Sequence, residues 1–162
     1  MDLQINQDAG FQWREWAAQR VGWTLMSLLV LAAVVGLLGP GPLSWSEAAS
    51  ADESATVDYL RWARRGREAG LTIRVDASHV RDGQVTVDVP ARYFQDMRLR
   101  GVTPSPEQVQ ANGDLLRFVF AVPQAGARAR LEFDLEADGM GPLRGEVRVG
   151  TSTVRFSQFI WP

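Results

Sequence analysis

Four groups of side chains in this 162-residue chain have the composition to do chemistry or to hold a partner. The first centres on His79, the only histidine, which follows Asp76, Ala77 and Ser78. One imidazole cannot build a two-histidine metal site, and a Ser-His-Asp triad would have no alternative base. The surrounding pattern puts His79 in a turn between strands, where it reads as a solvated loop residue. A copper site combining His79 with Met97 or Met140 finds no support in the spacing of the methionines. The sequence therefore calls for no metal and no cofactor.

The second group is Glu132, Asp134 and Glu136, spaced two apart on an alternating run. Alternate residues of a strand lie about 7 Å apart, near enough for paired acid–base work or for a divalent cation. The reading preferred is a solvated outer face, neutralised by Arg144 and Arg148 on an adjacent strand. The third is the basic cluster at 61–67, with Arg61, Arg64, Arg65 and Arg67 around Trp62. Guanidinium groups at this density suit lipid phosphates or an acidic partner surface. They equally suit a charged edge that discourages sheet-to-sheet association. The fourth is the terminal run, in which Phe156 and Ile160 point one way and Phe159 and Trp161 the other. An outward pair of aromatics is an interaction patch, or else it is covered by the segment at 91–96. No catalytic residue is assigned.

The elements that must position these groups start with residues 21–38, read as a transmembrane helix. No charge occurs between Arg20 and Glu47, and ten of those 18 residues are Leu or Val. Insertion is favoured by roughly 3 to 6 kcal/mol from these ten alone. Trp16, Trp23 and Trp45 sit where interfacial aromatics belong. Arg14 and Arg20 precede the span, whereas no basic residue follows it until Arg61, so the N-terminus is expected in the cytoplasm. The small-x-small triplet at 49–51 offers a signal-peptidase site, but the apolar run is long and the tail before it acidic. An uncut anchor is the expectation. Within it, Ala32 and Gly36 form a small-xxx-small face for a helix partner.

Residues 1–20 then form a cytoplasmic tail, 39–56 a flexible linker, and 57–162 one extracytoplasmic domain. Its apolar residues alternate at Leu71/Ile73/Val75, Val85/Val87/Val89, Leu116/Phe118/Phe120 and Leu131/Phe133/Leu135. Turn residues such as Asp82-Gly83 and Asn112-Gly113 separate the runs, which is the signature of a half-buried antiparallel sheet. Whether 57–67 is strand or helix is left open by its pattern. Seven or eight such strands imply a β-sandwich, similar to immunoglobulin or fibronectin sandwiches in architecture only. The fold class expected is mainly β, behind a single N-terminal helix.

All 17 basic residues are arginine, which fits a GC-rich bacterial genome, and the net charge of −2 makes no case for nucleic acid. The absence of cysteine removes disulfides and thiolate chemistry together. The expected protein is a non-enzymatic, single-pass accessory or assembly subunit of a bacterial inner membrane, with its sandwich in the periplasm. Its expected partners are the lipid bilayer and another membrane protein or a second copy of itself. The contacts expected are Ala32, Gly36, Arg61, Trp62, Arg64, Arg65, Arg67, Phe159 and Trp161. The alternative is an envelope sensor for a glycan, a metal or a lipid headgroup, with a concave site beside Tyr93 and Phe94.

Overall fold

The computed structural model describes residues 9–35, 44–122 and 127–162. Helix α1 runs Ala9–Val35, so it begins within the stretch 1–20 that precedes the apolar run. Its segment Gln12–Val35 is long and apolar enough to cross a membrane, with none of its surface covered by the rest of the chain. The helix carries no charged residue on any face between Arg20 and Val35. Near its start Trp13 and Trp16 pack with ring centroids 5.4 Å apart, and the Arg20 guanidinium lies 4.1 Å from the Trp16 ring centre. Ala32 lies on this helix, whereas Gly36, its partner in the small-residue face, falls outside the described residues.

Among the described residues eleven strands follow, in two sheets that pack as a sandwich. The first sheet contains β1 (Trp45–Ala49), β2 (Ala55–Leu60), β4 (Leu71–Val75), β9 (Ala129–Ala137) and β6 (Met97–Thr103), in that order. The second holds β3 (Trp62–Arg64), β11 (Ser152–Trp161), β10 (Gly141–Val149), β5 (Gln84–Pro90), β8 (Leu115–Ala121) and β7 (Gln108–Asn112). Every pairing is antiparallel except β3 with β11.

The strand total exceeds the seven or eight expected because three short edge strands carry little apolar alternation. One of them, β1, lies inside the stretch read as linker. It pairs residue for residue with β2, from Trp45 opposite Leu60 to Ala49 opposite Thr56. The ambiguous stretch from 57 resolves as strand, in β2 and β3, with no helix. The expected hairpin at Asp82-Gly83 is present with both residues at positive φ, and Arg81 and Gln84 exchange backbone hydrogen bonds across it. That is the backbone twist a two-residue loop needs.

Between the sheets, the inward residues of each strand meet as the alternation required. On β9, Ala129, Leu131, Phe133, Leu135 and Ala137 are buried while Arg130, Glu132 and Asp134 are exposed. Phe118 and Phe120 of the second sheet pack edge-on against Phe133 of the first, at 5.2 and 6.2 Å between ring centroids. A single-turn helix, α2 (Tyr93–Asp96), plugs one end of the core. Burial pushes the Tyr93 phenol well above its usual range. Its hydroxyl donates to Gln158 Oε1 at 2.7 Å, and Gln158 Nε2 donates to the Leu60 carbonyl at 2.9 Å. This buried relay explains why a glutamine interrupts the inward face of β11.

Candidate functional site

Both sheets run the same way between two ends of the sandwich, and one end gathers three of the four groups. The chain enters β1 there, and the Arg61 amide donates to the Ser44 carbonyl at 2.7 Å. From β2 it crosses to the other sheet, where β3 lies parallel to the end of β11. That register sets Trp62 beside Phe159 and Arg64 beside Trp161. Trp62 packs on both terminal aromatics, with ring centroids 6.0 and 6.3 Å away, and Phe159 and Trp161 touch each other at 4.8 Å. Phe159 and Trp161 face outward as expected. Their cover is Trp62, however, not the 91–96 segment, because Tyr93 packs on Phe156 from the inner side.

The chain then returns to the first sheet. The amides of Gly66 and Ala69 donate to the carbonyls of Ala137 and Leu135, extending β4 along β9. A cleft of about 980 Å³ results, walled by Trp45, Trp62, Arg64 and Arg67 and floored by Glu132 and Asp134. Two clusters that are distant in sequence thus face one opening. Arg144 and Arg148 do not neutralise these acids, since they sit on β10 in the other sheet. Glu132 instead pairs with Arg130 at 2.9 Å, and Glu136 with Arg100. Arg100 is the odd residue of a bulge in β6, where pairing skips from Leu99 to Gly101. A bulge re-aims a side chain, and this one lines the cleft. Among the described residues Arg61, Arg64, Arg65, Arg67 and Asp134 take part in no salt bridge. Glu68, which also lines the cleft, is in no salt bridge either, so these six formal charges have no ion-pair partner among the described residues.

His79 is not a free loop residue. It closes a 3-10 turn, Ala77–His79, at the far end of the sandwich. Its Nε2 lies 2.7 Å from Ser54 Oγ and 3.2 Å from Ser152 Oγ. Both hydroxyls donate to Asp52 Oδ2 at 2.7 Å. The two hydroxyl oxygens also lie 3.0 Å apart, and which atom donates in each His79 contact follows the imidazole tautomer. A triad built on Nε2 needs its acid on the other ring nitrogen. No acid contacts Nδ1 among the described residues, and the four side chains form a clasp joining the β1–β2, β4–β5 and β10–β11 turns. Gly150 allows the ring to seat, since a Cβ there would come 3.0 Å from His79 Nδ1.

The hydroxyls of Ser50, Ser54 and Ser152 hold the Asp52 carboxyl well below the usual carboxylate range. A depressed folded-state value contributes stability that is present above the unfolded value, near 4, and is lost as pH falls below it. Asp52→Asn should therefore lower the urea midpoint at pH 7. The gap to the unmodified protein should narrow progressively below pH 4. A gap that stays constant across that range would mean the clasp carboxylate does not titrate with folding.

Of the expected contacts, Arg61, Trp62, Arg64, Arg65, Arg67, Phe159 and Trp161 come together at one end. Ala32 stays on α1, and Gly36 is outside the described residues. Tyr93 is 2% exposed, and neither it nor Phe94 lines the cleft beside Trp62. Trp45, Arg100 and the acids of β9 belong to the site but were not placed there from sequence. Their only local signal was an exposed tryptophan and an acidic strand face. No protein-family model matches the chain, and no curated protein matches it either.

Proposed function

We propose that the chain is a single-pass, membrane-anchored accessory or assembly subunit whose sandwich binds a partner membrane protein in the cleft beside Trp62. On this reading α1 spans a bacterial inner membrane with its N-terminus in the cytoplasm, and the sandwich, immunoglobulin-like in architecture, lies in the periplasm. The protein acts by binding, without catalysis. One observation carries the reading. The cleft collects Trp45 and Trp62 with the cations of Arg64 and Arg67 and the anions of Glu68 and Asp134, none of these four charges in a salt bridge among the described residues. Aromatics and arginine are the residue types that dominate protein-binding surfaces, and a partner segment with both signs of charge would meet complementary groups on wall and floor.

Photocrosslinking from position 62 of the full chain in native membranes tests this. A discrete adduct with one membrane protein is expected, weakened at least tenfold by Arg67→Glu combined with Asp134→Arg. That factor corresponds to a loss of about 1.4 kcal/mol. Adducts spread over many proteins, indifferent to the double charge reversal, would remove the cleft as a binding site. A sugar ring stacked on Trp62 with hydroxyls on Glu132 and Asp134 is the second reading, favoured by the same tryptophan–carboxylate pairing. It predicts glycan adducts instead.

A further inference from the structure

The two ends of the sandwich differ in a way that the cleft does not use. Among the described residues of the β domain, four large apolar side chains are exposed: Trp45, Val109, Met140 and Trp161. Three of them, Trp45, Met140 and Trp161, lie at the end where the chain arrives from α1. Arg61 and Arg65 are exposed at that same end and outside the cleft lining. The connections at this end carry Arg61, Arg65, Arg67 and Arg92 against Glu68, Asp96, Asp114 and Asp138, so it is balanced in charge, whereas the far end is net acidic. The far end's connections carry Asp52, Glu53, Asp76, Asp82 and Glu107 against Arg81 and Arg128 among the described residues.

Covalent geometry ties the first of these ends to the helix. Ser44 follows Val35 by nine residues (44 − 35), so at most about 30 Å separates their Cα atoms. If α1 spans a bilayer, the tethered end is the part of the domain that meets the surface first. It carries the interfacial residue type, tryptophan, together with guanidinium groups that form no salt bridge in the described chain. The acidic clasp end points away, which like-charge repulsion from anionic lipid would favour.

We infer that this tethered end docks on an anionic bilayer surface, with Arg61 and Arg65 on lipid phosphates and Met140 and Trp161 in the headgroup layer. The inference rests on the membrane-spanning reading of α1. It deepens the proposed function, because a docked domain holds the cleft at a defined height for a neighbouring membrane protein. The protein chooses the membrane through two independent signals, apolar tips and paired cations. Either alone would give only a weak attachment, and the tether raises their effective concentration.

The cysteine-free chain allows single-site nitroxide labelling of the full-length protein in vesicles. Labels at Leu28→Cys, Met140→Cys and Asp82→Cys report the span, the docking end and the clasp end. In phosphatidylglycerol-containing vesicles the Met140→Cys label should be shielded from an aqueous nickel quencher several-fold better than the Asp82→Cys label. Arg61→Ala with Arg65→Ala should lower the docked-to-free ratio by roughly 25-fold, about fivefold for each cation near the surface. Equal exposure of both domain labels, with the Leu28→Cys label in hydrocarbon, overturns the docking while the anchor stands. A Leu28→Cys label in water overturns both. Shielding that is the same in pure phosphatidylcholine, or that is lost only when a protein partner is removed, also overturns the inference. Unchanged far-ultraviolet dichroism of the double arginine variant separates lost docking from lost folding.

Discussion

Phe133→Ala is expected to destabilise the domain by about 3–5 kcal/mol, the usual loss when a fully buried aromatic ring is removed. Phe133 is 2% exposed and is the ring of the first sheet that sits edge-on to both Phe118 and Phe120 of the second. Edge-to-face contacts add about 0.5–1.5 kcal/mol to area burial, so this side chain holds the two layers together twice over. A domain of this size has only about 5–15 kcal/mol of net stability, so the variant gives up a large fraction of it. The consequence reaches the cleft, because the same β9 that buries Phe133 presents Glu132 and Asp134 on its other face. Urea unfolding followed by tryptophan emission should show a lower midpoint at an unchanged slope. Phe159→Ala, on the outer face, is the comparison and should cost less than half as much. Equal losses from the two would mean that the outer aromatic cluster, not the core, joins the layers.

How much of this was legible beforehand depended on whether a feature repeats at short range. The run from Ala129 to Ala137 announces its two faces because each residue's fate is decided by its immediate alternation. Edge strands do not announce themselves. All five residues of β7 are exposed, and β1 turns only Ser46 and Ala48 half inward, so neither shows a run of buried apolar residues. Sheet membership is less legible still. Glu132, Asp134 and Glu136 were expected beside Arg144 and Arg148 on an adjacent strand, yet the turn between β9 and β10 carries the chain from one layer to the other. The site suffers the same way. Trp62 and Trp161 meet through a parallel pairing across about a hundred residues, and Arg100 reaches the cleft through a bulge. His79 was legible as a turn residue but not as a partner of Ser54 and Ser152. Which turns share one end follows only from the complete strand order.

The second large effect is expected at Gln158, where a polar side chain is 3% exposed on an otherwise apolar strand face. Gln158→Ala removes both bonds of the relay and leaves the Tyr93 hydroxyl and the Leu60 carbonyl without partners in the core. Each such orphan costs about 1–3 kcal/mol, and a total loss of about 3 kcal/mol follows. Tyr93→Phe alone strands only Oε1 and should cost about 1–2 kcal/mol. Combining Tyr93→Phe with Gln158→Leu removes hydroxyl and amide together while refilling the volume. The double variant should then be more stable than the sum of the single losses predicts, by about 1 kcal/mol or more. Strict additivity would show that water takes over the vacated bonds. The relay also has a functional side. Leu60 is the last residue of β2, and its carbonyl is held just where the chain leaves one sheet to place Trp62 and Arg64 beside the cleft. Freeing it loosens that wall. Gln158→Ala should therefore weaken crosslinking from position 62 at temperatures where the domain remains folded, whereas Phe133→Ala should weaken it only as the domain unfolds.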